Sequence, residues 1–405
     1  MSRAKPARGV TLLGPAFIAA VAYVDPGNVA TNVTAGARYG YTLVWVVVLA
    51  NVMAVLVQYL SAKLGIVTGR SLASQIGDRL PTAARIGYWL QAEAIAVATD
   101  MAEVIGGAIA LALLFDIPLA AGAVCTAAVS LLLLRVGDTR GQHVLERVIM
   151  GFLALIAVGF TAGLVVEPPS AGALAGGLAP SFVGTDSVLL ASGIIGATVM
   201  PHVIYLHSGL TAGRLGLRGA GAGVPRLLAG TRADVFSALV VAGLLNLSLL
   251  VVAASSLHGL PGTDTLQGVH GLLSSEVGTG VALLFAVALL GSGLASTAVG
   301  SAAGAEVMQG LLRRRIPLVL RRTLTVIPAV ALLALGAEPS AALVISQVVL
   351  SMGIPFALVP LVLLTSRRAV MGEHANRPAT TVAAAAIAAC VIALNTVLLY
   401  LTFTG

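Results

Sequence analysis

The sequence contains few charged residues: Asp, Glu, Lys and Arg make up 10% of its 405 positions, whereas soluble domains carry about 25%. Hydrophobic residues make up 58% of the chain, so too few polar groups exist to cover a water-soluble globule. Apolar runs of about 20 residues recur along the whole length, and a helix of that length crosses the roughly 30 Å hydrocarbon core of a bilayer. We therefore predict an all-α membrane protein embedded in the lipid bilayer.

Aromatic residues are also scarce, at 4%, and the sequence has no basic tail. The net charge of +7 therefore does not indicate nucleic-acid binding, because the arginines occupy short loops between apolar runs, as topology signals do. Two cysteines, Cys125 and Cys390, both lie in apolar runs, which excludes a disulfide framework and a cysteine-based zinc site. The sequence has no phosphate-binding P-loop, His-Glu-x-x-His motif or catalytic triad pattern. ATP-driven transport is therefore disfavoured, and we expect no enzymatic activity.

Eleven membrane spans are predicted from the apolar runs, and the chain is interpreted as one transmembrane domain, 1–405. The spans cover residues 12–36, 41–66, 84–114, 118–135, 144–166, 187–213, 233–257, 278–312, 319–336, 341–365 and 379–402. With the N-terminus inside, eleven crossings place every basic residue except Arg38 on the inner side, as the positive-inside rule requires. A wrong number of spans would destroy that agreement. We therefore predict a cytoplasmic N-terminus and an extracytoplasmic C-terminus.

Two of the predicted spans contain helix-breaking sequences. Asp-Pro-Gly-Asn occupies 25–28 in the first span, and Ala-Thr-Val-Met occupies 197–200 in the sixth, followed at once by Pro-His. Proline lacks a backbone N–H and disfavours helix at the residue before it. Lipid cannot satisfy the freed backbone groups, so such a break survives only where it lines a cavity enclosed by protein. We therefore expect spans one and six to be unwound in mid-membrane.

The positions of the two breaks indicate an internal repeat. The first break opens a group of five spans, 12–166, and the second opens another five, 187–365; the helix at 379–402 is extra. A repeat with an odd number of spans must be inverted in the membrane, as in many secondary transporters. Broken helices at matching positions of the two halves mark the substrate site in such proteins.

The two breaks supply a mixed set of metal ligands. Asp25 and Asn28 offer a carboxylate and an amide oxygen, and Met200 offers a thioether sulfur. The carbonyls of Ala22 and Ala197 precede prolines by four residues and lose their helical partners. Such a mixture suits Mn²⁺ or Fe²⁺, and the sulfur discriminates against Ca²⁺ and Mg²⁺, which prefer oxygen. The alternatives are that Asp25 only caps a half-helix and that Met200 only packs in the core.

Three acidic residues, Glu93, Asp100 and Glu103, share one face of the third span, within about 80° at 100° per residue. Acids inside a membrane are too costly to face lipid and need partners or protons. Arg321 and Arg322, at the inner start of the ninth span, are the expected partners. We interpret the group as a proton relay from the metal cavity toward the cytoplasm; a static buried ion network is the alternative.

Two histidines follow the second break on the same span. His202 lies two residues beyond Met200, and because histidine titrates near physiological pH, it suits a proton or gating role. A structural hydrogen bond or direct metal ligation are the alternatives. For His207 a structural role is favoured over a place on the proton pathway.

These segments resemble the Nramp (natural-resistance-associated macrophage protein) family of proton-coupled divalent metal importers, whose bacterial branch imports manganese. The resemblance rests on 25–28, on 197–202, on the Tyr-Leu-His-Ser segment at 205–208, on Gln347 and on Pro-Phe-Ala-Leu-Val-Pro at 355–360. One departure is Val203, where many members have asparagine. Met200 separates the chain from the magnesium-transporting branch, which lacks this methionine.

The resemblance implies a LeuT-type fold of two inverted five-helix repeats plus an eleventh helix. It implies metal ligation by the Asp25, Asn28 and Met200 side chains and by the Ala197 carbonyl. The Ala22 carbonyl and Gln347 are implied to join in some conformations. It further implies that protons move through the residues at 100, 103 and 322.

The sequence as a whole predicts a proton-coupled importer of divalent metal ions, chiefly Mn²⁺ and also Fe²⁺, working by alternating access in a bacterial cytoplasmic membrane. The metal is the substrate and H⁺ the coupling ion; no cofactor, nucleic acid or obligatory protein partner is expected. The alternative is a cation-coupled symporter of amino acids or other organic solutes with the same fold. Asp25 argues against it, since a carboxylate at the break would repel an anionic substrate.

Overall fold

The computed structural model of the protein describes residues 14–140, 142–216, 223–314 and 316–404. Throughout these residues the chain is built from helices and connecting loops, without strands. The helices are α1 (Pro15–Ala22), α2 (Pro26–Tyr39), α3 (Val44–Thr68), α4 (Leu72–Arg79), α5 (Thr82–Phe115), α6 (Leu119–Arg140), α7 (Gln142–Val166), α8 (Ala171–Gly176), α9 (Gly184–Thr198), α10 (Pro201–Gly216), α11 (Val224–Ser256), α12 (Leu266–Leu272), α13 (Thr279–Leu312), α14 (Leu318–Ala334), α15 (Pro339–Ser366), α16 (Arg368–Met371) and α17 (Pro378–Thr404).

Each of the eleven predicted spans coincides with one long helix or with a pair of helices separated by a break. Residues 12 and 13 of the first predicted span lie outside the described residues. The pairs are α1–α2 and α9–α10, in the two spans predicted to be unwound. By length and composition, seven helical segments of the described chain are long and apolar enough to cross a membrane, with two shorter apolar helices at Leu119–Leu133 and Met150–Val166.

Several helix boundaries differ from the prediction. Helix α11 begins at Val224 rather than near 233. Its first turns are helical, but they contain polar residues and were therefore not counted as part of an apolar span. Four short helices, α4, α8, α12 and α16, lie in segments predicted as loops. Hydropathy detects only the apolar part of a helix, so neither feature is visible in a search for spans.

The first break lies at residues 23–25, between α1 and α2. Its backbone carbonyls are satisfied by side chains of neighbouring helices: Asn246 Nδ2 of α11 donates to the Tyr23 carbonyl at 2.8 Å. Ser292 Oγ of α13 donates to the Val24 carbonyl at 2.5 Å. Pro26 stands at the first position of α2, where its missing N–H costs nothing. The unwound segment is therefore a built feature, held in place from two sides.

The second break lies at residues 199–200, between α9 and α10. Val199 leaves the helical conformation with φ −98° and ψ 49°, and Pro201 begins α10. Because Pro201 has no N–H, the Ala197 carbonyl has no partner within its own helix. The predicted unwinding of both spans is confirmed.

At the other end of α1, the side chain of Asp234 in α11 caps the helix. Its two carboxylate oxygens accept the N–H groups of Gly14 and Ala16, each at 3.1 Å. Gly14 has φ 152°, in the region that favours glycine. A carboxylate at a helix N-terminus is also favoured by the helix dipole, so α1 is anchored at this end to α11.

Candidate metal site

The two breaks meet through direct hydrogen bonds. Asn28 donates from its backbone N–H to Asp25 Oδ1 at 2.8 Å and from its side-chain Nδ2 to the same oxygen at 2.9 Å. Its Nδ2 also donates to the Ala197 carbonyl at 2.8 Å. All three residues are buried. The amide of Asn28 therefore joins the N-cap of α2 to the carbonyl freed at the end of α9.

Three oxygens at this junction are buried and accept no hydrogen bond from any described residue: Asp25 Oδ2, Asn28 Oδ1 and Gln347 Oε1. Leaving a buried polar atom unpaired costs about 1–3 kcal/mol. Three acceptors without a donor are what a cation requires. One oxygen of Asp25 thus caps α2, as the structural alternative proposed, and the other oxygen remains available for a ligand.

Gln347 reaches the first break because α15 packs directly on both broken spans. A methyl group at Gly27 would lie 1.7 Å from Gln347 Nε2, and one at Gly196 would lie 2.1 Å from the Gln347 carbonyl. Only glycine permits these approaches. The amide nitrogen of Gln347 donates to Ser346 Oγ at 3.2 Å, so its oxygen is the end of the side chain left for other partners.

Met200 and Ala22 complete the predicted ligand set. Met200 is fully buried in the second break, three residues beyond Ala197. The Ala22 carbonyl has no i+4 hydrogen-bond donor, because the residue at that position is Pro26, which lacks an N–H. It accepts the N–H of Asp25 at 3.2 Å instead. A metal bound to this carbonyl would share that acceptor. The metal-ligating roles of both groups remain predictions.

The donor set carries little charge. In the part of the chain that the structure describes, no three His, Cys, Asp or Glu side chains are grouped as they would be in a resident metal centre. The junction offers one carboxylate, with the remaining oxygens neutral. Such a set leaves a divalent ion with a net positive charge and holds it less tightly than a chelating cluster, which suits a bound species that must also be released.

The acids predicted to share a face of the third span lie against an arginine of α14. Arg322 Nη1 is 2.5 Å from Asp100 Oδ1 and 3.2 Å from Glu103 Oε2. Its Nη2 donates to Thr297 Oγ1 at 3.0 Å and its Nε to Ser130 Oγ at 3.4 Å. The arginine side chain is fully buried, so this is an ion network without access to water.

A second ion pair continues this row along α5. Arg321 Nη2 lies 3.1 Å from Glu93 Oε1, and the Glu93 side chain is 19% exposed, in contrast to the buried pair at Arg322. From Glu93 to Glu103 the row extends about 15 Å at 1.5 Å per residue. The predicted partnership of the two arginines with the three acids is present, and the row runs from a closed end to a more open one.

The two histidines face different neighbours. His202 Nδ1 lies 3.4 Å from Thr99 Oγ1, the residue before Asp100, and so connects the second break with the acid row. His207 Nδ1 lies 2.9 Å from Gln58 Oε1 of α3, which fits the structural role favoured for it. Ser130 and Thr99 were not predicted; their only signal in the sequence is a hydroxyl within an apolar span.

A model of the family described as natural resistance-associated macrophage protein-like matches residues 16–401 of the chain. The chain belongs to the Nramp family. Among its relatives is the divalent metal cation transporter MntH of Mycobacterium tuberculosis, 56% identical over 394 residues, which cover 97% of this chain and 92% of that protein. The predicted family is confirmed, as is the prediction that the chain is not an enzyme.

Solved structures agree with this assignment. A crystal structure of the Eremococcus coleocola manganese transporter matches with a TM-score of 0.87 and 30% identity, covering 98% of this Nramp chain and 88% of that one. A structure of MhsT with L-phenylalanine matches with a TM-score of 0.61 at 13% identity, covering 95% and 97%, and shows likeness of fold alone. The predicted LeuT-type fold of an integral membrane protein is confirmed.

Proposed function

We propose that this Nramp chain is a proton-coupled importer of Mn²⁺, and of Fe²⁺, across a bacterial cytoplasmic membrane. The observation that carries the proposal is the group of three unpaired, buried oxygens of Asp25, Asn28 and Gln347 at the junction of two broken helices. The names of its relatives, a divalent metal cation transporter and a manganese transporter, support a divalent metal ion as the substrate.

The ion binds between the two breaks. Asp25 Oδ2 supplies the one negative charge, and neutral oxygens come from Asn28, Gln347 and the Ala197 carbonyl. Met200 supplies the sulfur, a ligand that Mn²⁺ and Fe²⁺ accept more readily than Ca²⁺ or Mg²⁺. The Ala22 carbonyl joins only when Asp25 N–H releases it.

Access to the site alternates between the two sides of the membrane. The ligand side chains are all within 1% of full burial, so the site is closed at both ends. A cavity of about 240 Å³ lies beyond the site between α2, α9 and α15, with Thr34, Leu190 and Val344 among its walls. Since Arg38 and Asp264 also line it, the cavity is at the predicted outer end and forms the entry route.

Protons and metal compete for Asp25, since a carboxylate must lose its proton to bind a cation. The proton released there passes by way of His202 and Thr99 to the row at 93, 100 and 103. The positive charges of Arg321 and Arg322 stabilise the carboxylates of this row when they are deprotonated. His207, whose Nδ1 lies 2.9 Å from Gln58 Oε1 of α3, stays outside this route and keeps the structural role favoured for it.

A symporter of organic solutes is the second candidate, since the fold is shared with a protein that binds L-phenylalanine. Such a site must bind the carboxylate of an amino acid, for which helix N-termini and backbone N–H groups are suited. Here the position is occupied by Asp25 and unpaired acceptor oxygens, which disfavour an anion.

The proposal is tested with purified protein in liposomes. Mn²⁺ influx and lumenal pH are recorded together, with Fe²⁺, Ca²⁺, Mg²⁺ and L-phenylalanine as comparison substrates. We expect Mn²⁺ and Fe²⁺ influx, each accompanied by lumenal acidification. Metal influx without acidification would contradict proton coupling, and uptake of the amino acid instead of metal would favour the second candidate.

Replacing Met200 with alanine should relax selectivity. Loss of the one soft ligand should lower Mn²⁺ uptake by no more than about tenfold, equivalent to about 1.4 kcal/mol, while Ca²⁺ uptake becomes measurable. The measurement is competition of Ca²⁺ with Mn²⁺ uptake in liposomes. Met53→Ala is the control, because Met53 is a buried methionine on α3 outside the breaks. Unchanged Ca²⁺ exclusion in Met200→Ala would refute the sulfur filter.

Replacing Gly27 with alanine should displace the Gln347 amide, since the new methyl would lie 1.7 Å from its nitrogen. Overpacking of this kind costs about 1–3 kcal/mol, so we expect Mn²⁺ affinity to fall by roughly tenfold. The apparent Km for Mn²⁺ uptake measures the effect. Gly151→Ala is the matched control, because an added methyl at Gly151 has open space. Equal Mn²⁺ affinities in the two variants would show that Gln347 does not take part in metal binding.

A further inference from the structure

A groove of about 700 Å³ lies on the outer surface of the helix bundle, away from the metal site. Residues of α3, α11 and α17 line it. Its walls are apolar over most of their length, and two of the wall side chains, Val52 and Phe236, are 62% and 61% exposed. A surface of this kind, on a chain that spans a membrane, faces lipid chains.

One end of the groove carries a positive charge. The guanidinium of Arg232 lies over the ring of Tyr59, with its Cζ 5.2 Å from the ring centroid, and its Nη2 is 3.3 Å from the Tyr59 hydroxyl. Among the described residues, no carboxylate lies within ion-pair distance of this guanidinium. The aromatic ring therefore holds the cation in a fixed position and leaves its charge uncompensated.

The apolar end and the charged end of the groove can be placed relative to the membrane. From Tyr59 toward Val52, the α3 wall continues for about 10 Å at 1.5 Å per residue with only apolar side chains. In the opposite direction, one turn beyond Tyr59, Lys63 donates to Asn376 Oδ1 at 2.8 Å in the polar loop before α17. This loop belongs to the predicted inner side. The charged end therefore lies at the inner membrane boundary, and the apolar walls point toward the bilayer centre.

We propose that this groove binds an anionic phospholipid of the inner leaflet. The phosphate lies at Arg232, with Lys63 adding positive potential one turn away, and an acyl chain follows Val52, Val55 and Phe236. Basic pockets between spanning helices on the cytoplasmic side bind anionic headgroups by this combination of charge and apolar contact. Occupancy stabilises the packing of α17 against α3. The site is independent of the proposed metal transport.

The test uses the purified full chain with equal amounts of phosphatidylglycerol and phosphatidylcholine, followed by native mass spectrometry and a thermal melt. We expect the protein to retain phosphatidylglycerol selectively and to melt at a higher temperature with it. Arg232→Gln should lower this retention about fivefold, the effect of one basic side chain near an anionic surface. Arg368→Gln, which removes an exposed charge of α16 on the same predicted side, should leave the retention unchanged.

A second variant tests the acyl part of the site without altering charge. Ala233→Trp fills the groove and should release bound lipid although Arg232 is present. Equal retention of the two lipids, or equal loss in Arg232→Gln and Arg368→Gln, would overturn the proposal. A stoichiometric dimer that Ala233→Trp abolishes would assign the groove to a second copy of the chain and overturn it as well.

Discussion

Asp25→Asn should abolish Mn²⁺ transport while leaving the fold intact. Asparagine keeps the shape of the side chain, and its Oδ1 can still accept the Asn28 N–H that now lies 2.8 Å from Asp25 Oδ1. The substitution removes the only negative charge of the ligand set and turns an amide donor toward the ion. Two unit charges attract each other by about 4 kcal/mol at 4 Å and an effective dielectric constant of 20, and the ion carries two charges, so we expect binding to fall by at least about a thousandfold.

Mn²⁺ uptake and binding are measured on the same preparation as a thermal melt. Asp116→Asn is the matched control, because Asp116 is an exposed acid at the end of α5 whose φ of 55° asparagine tolerates. We expect both variants to melt near the wild-type temperature and only Asp25→Asn to lose uptake. Transport by Asp25→Asn at the wild-type rate would end the proposed role of this carboxylate.

Arg322→Met should be the most destabilising single substitution among the charged residues of the bundle. It would leave Asp100 and Glu103 buried without their cation, a loss of about 3–5 kcal/mol. Arg321→Met is the internal comparison, since its partner Glu93 is 19% exposed and solvent compensates part of the loss. We expect a much smaller decrease in its free energy of unfolding, measured by denaturant in detergent.

A combined variant separates stability from proton transfer. Arg322→Met together with Asp100→Asn and Glu103→Gln removes the cation and both charges, so the free energy of unfolding should recover. Lumenal acidification during Mn²⁺ uptake should not recover, because the relay has no titratable group at these positions. Normal acidification by the combined variant would show that the acids form a static network, the alternative left open by the sequence.

The architecture could be predicted because its causes are local in the sequence. The proline after Asp25 and the proline after Met200 each disfavour helix at the residue before them, although Pro355 and Pro360 lie inside α15 without a break. The distribution of arginines predicts the number of crossings. The contact of Gln347 with Gly27 could not be derived in this way, because 320 positions separate the residues and only the packing of α15 joins them. A resemblance pointed to Gln347, and the packing of α15 places its side chain against Gly27.

Several hydrogen-bond partners could not be predicted from the sequence. The carbonyl of Ala22 was expected to be free, but the chain after α1 tightens to i→i+3 hydrogen bonds, so the Asp25 N–H reaches it at 3.2 Å. Ser130, a partner of Arg322, has no pattern to distinguish it from other hydroxyls of apolar spans. The role of Met200 in ion binding remains a prediction, since its burial is equally required of a core side chain.

In the proposed transport cycle, the hydrogen bonds between Asp234 and the N-terminal end of α1 limit how an inward-facing exit can form. Helix α1 has only eight residues and is joined to α2 by the non-helical segment at 23–25, so it is short enough to move as a unit. Its far end, however, is tied to α11 by two bonds from one carboxylate. Either those bonds break on every turnover, or α1 and α11 swing as one body and the hinge lies elsewhere.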